Sequence, residues 1–194
     1  MIQGSPLRPP LLAPICLVLG AALGMAGTFM PSPGLRGLAW GVDGVALVTA
    51  GALLTVYHFR QGHDLVAAGF LVFTAGESLI LSGVALSLEA SAPAFASGAA
   101  LWAVSLALVG APRVFPNPVR VLGFVAALLF AVTSLQIFAG RALTALSRPL
   151  PFFAYPFLVL TMFNGIGLLL YAGFWFFVPL GVGGVAEEIG RAHV

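Results

Sequence analysis

Long apolar runs, cut at intervals by short clusters of Pro, Gly and Arg, dominate the pattern of this chain. A helix needs about 20 apolar residues to cross a bilayer, at about 1.5 Å of rise per residue. Six runs approach that length, near residues 11–30, 37–57, 65–88, 95–111, 121–139 and 152–173. Arg8, Pro9 and Pro10 precede the first, and Pro31, Ser32, Pro33 and Gly34 part it from the second. The segment His58 to Asp64 turns the chain into the third. Glu89 to Pro93 reads as a loop leading into the fourth, and a basic turn from Pro112 to Arg120 opens the fifth. The last apolar stretch, Leu150 to Val185, exceeds one untilted helix. It bends at Asn164 and Gly165, continues into a truncated seventh span, or ends in an interfacial Phe/Trp segment. The pattern predicts an all-α, polytopic integral membrane helix bundle of about six transmembrane helices, forming a single domain over residues 1–188.

Composition supports that class. Hydrophobic residues make up 60% of the chain and charged residues 7%, and the mean hydropathy is +1.09, far from the range of soluble domains. With the remainder equally apolar, the first run reads as a span rather than a cleaved leader. The formal charge of +2 comes from scattered Arg without a basic stripe, which argues against nucleic acid as a partner. Lys is absent, and Ala, Gly, Pro and Arg are abundant, as in proteins of GC-rich bacterial genomes; the bacterial cytoplasmic (inner) membrane is the expected location. Arg8, Arg60, Arg113 and Arg120 lie in turns on one side and Arg36, Arg141 and Arg148 on the other, a bias that places the amino terminus in the cytoplasm. The single Cys16 has no internal disulfide partner. Ile189 to Val194, together with Glu188, match a translated sequencing adapter in the frame GAG ATC GGA AGA GCA CAC GTC, so 189–194 are read as a non-native tail and His193 as no ligand.

Within this apolar background Asp43 and Glu77 are the ionisable groups expected at membrane depth. A carboxylate there is costly unless protonated, paired or facing water, and such residues usually face a bundle interior. Asp43 lies eighteen residues before Gln61 and Glu77 sixteen after it, so an antiparallel hairpin centred on Gln61 puts the two acids at similar depth. Neighbouring helix axes stand about 8–10 Å apart, close enough for two carboxyls to share a proton, a water or a cation. Thr74, Glu77, Ser78 and Ser82 are expected on one helical face turned toward the bundle. Gln136 and Asn164 are the candidate polar partners from other spans. Thr133, Ser134, Tyr155 and Thr161 are further polar groups, each expected to serve packing. With no Lys, Arg or His inside the spans, an exogenous proton or cation is favoured over an internal ion pair.

Other chemistry finds little support. The sequence has no nucleophile elbow, phosphate-cradling Gly loop or two-His metalloprotease motif, and no catalytic residue is assigned. His58, His63 and Asp64 supply too few ligands for a metal at unsuitable spacing and read as a solvated loop, and haem ligation would need His pairs within spans. No metal or cofactor is expected. Arg113, Asn117 and Arg120 could hold a lipid phosphate, but no general base stands beside them, so the chain leans away from being an enzyme. Phe70, Leu71, Val72 and Thr74 recur as Phe157, Leu158, Val159 and Thr161, a weak repeat that would suit two inverted halves. Small residues four apart, at Gly20 and Gly24, Gly37 and Gly41, and Ser78 and Ser82, suit close helix crossings. Two functions follow. The leading one is a small transporter, channel or proton-linked accessory protein built on Glu77 and Asp43. The alternative is a non-catalytic membrane scaffold or assembly subunit whose small-residue faces bind partner helices or a second copy.

Overall fold

The structure is a computed structural model that describes residues 12–141. Within them the chain forms five helices: α1, Leu12–Phe29; α2, Pro33–Arg60; α3, Asp64–Ser82; α4, Leu88–Gly110; and α5, Asn117–Phe138. The described residues contain no strand. Four segments are long and apolar enough to cross a membrane, Pro33–Arg60, Asp64–Ser82, Glu89–Gly110 and Val119–Phe138, and α1 contributes a shorter apolar stretch, Leu12–Gly24. The expected sixth span, 152–173, and with it Asn164, Tyr155 and Thr161, lies outside the described residues.

Local chemistry explains the helix ends. Ser32 caps α2 by accepting from the backbone N–H of Leu35 at 3.4 Å, with Pro33 at the first helical position, where its missing N–H is harmless. The third span stops at Ser82 instead of running to residue 88, and the expected loop from Glu89 to Pro93 lies inside α4. The reason is Ser87, whose hydroxyl accepts from the N–H of Ala90 at 3.2 Å, while Glu89 sits in the first turn against the positive end of the helix dipole. Pro93, the sixth residue of α4, removes the backbone donor that would pair with the Glu89 carbonyl, and the helix continues through it with that bond lost.

The helices run up and down, and among the described residues each packs only on its chain neighbours: α1 on α2, α2 on α3, α3 on α4, and α4 on α5. Packing follows membrane logic, in which small residues face inward and large aliphatics outward, because lipid competes with a protein core for apolar groups. On α2, Ala39, Ala46 and Ala50 are buried, while Leu38, Val42, Val45 and Val56 are exposed. At the α3–α4 crossing the backbones meet at Gly76 and Gly98: a Cβ on Gly98 would lie 2.6 Å from the Gly76 carbonyl oxygen. Beside that crossing, Phe73 stacks on Trp102 at 5.7 Å, and Trp102 meets Phe130 edge-on at 5.0 Å. Each ring pair adds about 0.5–1.5 kcal/mol beyond its buried area.

Two Arg side chains close hairpins. Arg36 donates to the Met30 carbonyl at 3.0 Å and lies over the Trp40 ring, whose Nε1 donates to the Gly24 carbonyl at 3.2 Å, pinning α2 to the end of α1. Arg120 donates to the carbonyls of Gly110 at 2.7 Å and Ala111 at 3.0 Å and to Asn117 Oδ1 at 3.2 Å, satisfying the last carbonyls of α4.

Candidate functional site

Asp43 and Glu77 come together on α2, which packs between α1 and α3, and Thr74 lies one turn before Glu77 on α3. Asp43 lies ten residues into α2, and its carboxylate rests on α1 at two glycines one turn apart. A Cβ on Gly24 would lie 2.6 Å from Asp43 Oδ2, and one on Gly20 would lie 3.1 Å from Oδ1. Any side chain at Gly24 would therefore displace the acid, so α1 is shaped to receive it. Leu47, one turn along α2, fills the rest of the Gly20 notch.

Glu77 enters from the other flank of α2. It is 2% exposed, among the most deeply buried side chains described, and its Oε1 lies 3.3 Å from where a Cβ on Gly44 would stand. Because Gly44 follows Asp43 on α2, the two acids lie at one level of that helix, Asp43 turned toward α1 and Glu77 arriving from α3, and they are close enough to interact electrostatically. Thr74, one turn before Glu77, is wedged against Gly51 of α2 and donates its hydroxyl to the Phe70 carbonyl at 2.9 Å.

Among the described residues, Asp43 Oδ1 and Glu77 Oε2 are buried without a hydrogen-bond partner. Most buried polar side-chain atoms in folded proteins are paired, so two such orphans at one helix junction stand out from the remainder of the described chain. The other such atoms are Arg36 Nε and Trp102 Nε1, and each belongs to a side chain already engaged, by hydrogen bond or by ring packing.

The structure separates other expected members from this junction. Ser78 and Ser82 are exposed and donate to their own helix, to the Thr74 and Leu79 carbonyls, so they do not share the buried face of Glu77. Position 78 is one residue on from 77, a rotation of about 100°, enough to carry it out of the contact with α2. Gln136 belongs to α5, which packs on α4 and not on α3, so it is no neighbour of Glu77. Thr133 donates within α5, and Ser134 bridges to the Ala96 carbonyl of α4 at 2.8 Å, both serving packing. Asn164 lies outside the described residues. The spacing of Gly20 and Gly24 was a legible signal of a crossing, but nothing in it names Asp43 as what the notch receives.

No protein-family model, curated protein or solved structure matches this chain. The functional reading rests on the site itself.

Two further corrections bear on chemistry. His58 is not in a solvated loop: it is helical, 5% exposed, and stacked on Phe70 with ring centroids 5.4 Å apart. Arg120, considered for a lipid phosphate, is engaged on α4 carbonyls and Asn117, and Arg113 is exposed. Among the described residues no group of three or more His, Cys, Asp or Glu side chains is placed to hold a metal ion.

Proposed function

We propose that the Asp43–Glu77 pair binds a proton or a small cation within the membrane, and that the protein is a small transporter, channel or proton-linked accessory protein. The observation that carries this reading is the pair of orphaned carboxylate oxygens at one helix junction. A buried acid without a partner costs several kcal/mol when charged, and the cost is relieved when an exogenous cation or proton arrives. The setting proposed is a bacterial inner membrane, with about six spans and a cytoplasmic amino terminus.

A second reading, a scaffold that binds partner helices or a second copy of itself, draws on different residues. Gly41 meets nothing within 4 Å, and Ser78 and Ser82 are exposed, so small groups are turned outward as well as inward. Gly20 and Gly24 do not serve that reading, because Leu47 and Asp43 of the same chain already fill them.

The deciding experiment reconstitutes wild type and Glu77→Gln in vesicles and measures proton and alkali-cation flux alongside the infrared C=O band of protonated carboxyls. The carboxylate reading expects a carboxyl band that responds to bulk pH, is absent from the variant, and accompanies a flux the variant lacks. A Glu77 band indifferent to pH, with no flux in either protein, makes Glu77 a structural hydrogen-bond donor and puts the scaffold first.

A further inference from the structure

What surrounds the Asp43 and Glu77 carboxyls limits which ion they can hold. The walls nearest them are glycine and leucine: Gly20 and Gly24 with Leu47 beside Asp43, and Gly44 with Leu81 beside Glu77. The Gly24 carbonyl accepts from Trp40 Nε1 at 3.2 Å, and carbonyls along a helix already accept the bonds that hold it together. Thr74 is wedged against Gly51, seven residues along α2 from the Gly44 that Glu77 meets, a rise of about 10.5 Å. Its hydroxyl donates to the Phe70 carbonyl, and the exposed Ser78 donates to the Thr74 carbonyl. Neither hydroxyl joins the carboxyls.

The imidazoles of the hairpin are committed elsewhere. Helix α2 ends on Gly62, whose φ of +72° lies in the left-handed region. The Gly62 N–H donates to the Phe59 carbonyl at 3.1 Å, and the His63 N–H reaches back to the His58 carbonyl at 3.0 Å, which together form a Schellman closure. There the His58 and His63 rings hydrogen-bond to each other, Nδ1 to Nδ1, at 3.4 Å. His63 precedes Glu77 by fourteen residues, a helical rise of about 21 Å, so neither ring reaches the acids. Among the described residues, no third His, Cys, Asp or Glu joins the carboxyl pair.

Metal cations and protons ask different things of such a place. Ca²⁺ takes about six to eight oxygen ligands and Mg²⁺ an octahedral set, and an alkali ion leaves water only for a cage of oxygens that replaces its hydration shell. A proton needs one lone pair. It forms an O–H bond on one carboxylate oxygen and cancels the charge whose burial is costly. Building on the carboxylate reading above, we propose that the Asp43–Glu77 pair is specific for the proton and excludes alkali and alkaline-earth cations.

The test follows the infrared C=O band of protonated carboxyls against pH, for the full chain in vesicles, in buffers whose cation is choline, sodium, potassium, magnesium or calcium. A cation that shared the site would compete with the proton, and at a hundredfold excess over its Kd would lower the midpoint of the band by about two pH units. The expected result is a band that responds to pH, is lost in Glu77→Gln, and keeps one midpoint in every buffer. The comparison of buffers uses wild type, so it decides the matter even if the variant fails to fold. A midpoint lowered by any of the metal cations overturns the proton specificity and leaves the carboxylate reading standing. A band indifferent to pH in every buffer overturns both.

Discussion

The α2–α3 hairpin treats its polar groups in opposite ways at its turn and along its length. At the turn, helix-end carbonyls are claimed by the Schellman closure on Gly62, and the His58 and His63 rings face each other within a wall of aromatics. Farther along the same two helices, Asp43 Oδ1 and Glu77 Oε2 are buried beside glycines with no donor among the described residues. His58 at the turn and Glu77 among the glycines are both buried, so burial does not separate the two regions. What separates them is that the turn is satisfied by its own residues, whereas the two acid oxygens have no hydrogen-bond partner among the described residues. Unpaired buried oxygens of this kind are uncommon in folded proteins, and the proposed proton or cation site rests on them.

The sharpest way to break this comparison is to replace Glu77 by Met, close in volume and apolar. If the unpartnered acid is a stability cost retained for function, Glu77→Met should raise stability by about 1–3 kcal/mol while flux falls to that of empty vesicles. The measurement pairs reversible unfolding in mixed micelles with vesicle flux. A loss of stability would mean that Glu77 is satisfied after all and that the contrast with the turn is false.

Gly24→Ala probes the other acid. Its new Cβ would lie 2.6 Å from Asp43 Oδ2, on an edge helix whose described packing is with α2 alone. Overpacking of this kind costs about 1–3 kcal/mol. In an Asp43→Ala background the same substitution should be nearly free, and the double-mutant cycle should return a coupling of about 1 kcal/mol or more. An additive pair would show that α1 does not rest on the carboxylate.

At the turn, Gly62→Ala forces a side chain into the left-handed region, at a cost of about 1 kcal/mol. Amide exchange should quicken at Gly62 and His63, and flux should be unchanged, since the closure is remote from the acids. A flux defect would join the two regions into one device.

How much of this was legible beforehand depends on the range of the interaction. Helix positions followed from apolar runs, because a span is a local property of about 20 residues. Where the boundary failed, at residues 83–93, a single capping serine outweighed the turn signal of Pro93. The depth match of Asp43 and Glu77 came from counting across one turn, and the contacts of both acids with α2 and its neighbours agree with it. Ser78 departs from the expected face because its hydroxyl is satisfied by its own helix and needs no neighbour. Gln136 departs from it because sequence says nothing about which helices touch, and in this row α5 does not reach α3. The burial of His58 is not legible in sequence because its partners, Phe70 and Phe115, arrive from two other segments.

The smallest effect belongs to Ser78, and it tests what covers the outer surface of the hairpin. Its hydroxyl donates to the Thr74 carbonyl at 2.8 Å, an i to i−4 bond that adds little to a helix, so Ser78→Ala should change stability by no more than about 0.5 kcal/mol and leave flux unchanged. Ser78→Leu is the more telling partner experiment. Leu71 and Leu79 on the same helix are already exposed, as lipid-facing residues are, and a leucine added on a lipid-facing surface should be equally harmless. If instead a second helix crosses closely at Ser78, the leucine would force the backbones apart, and crosslinking in native membranes would lose an oligomer that Ser78→Ala retains. That outcome would make the exposed face of α3 a partner surface, leaving the contrast between its turn and its acids to be read within an assembly.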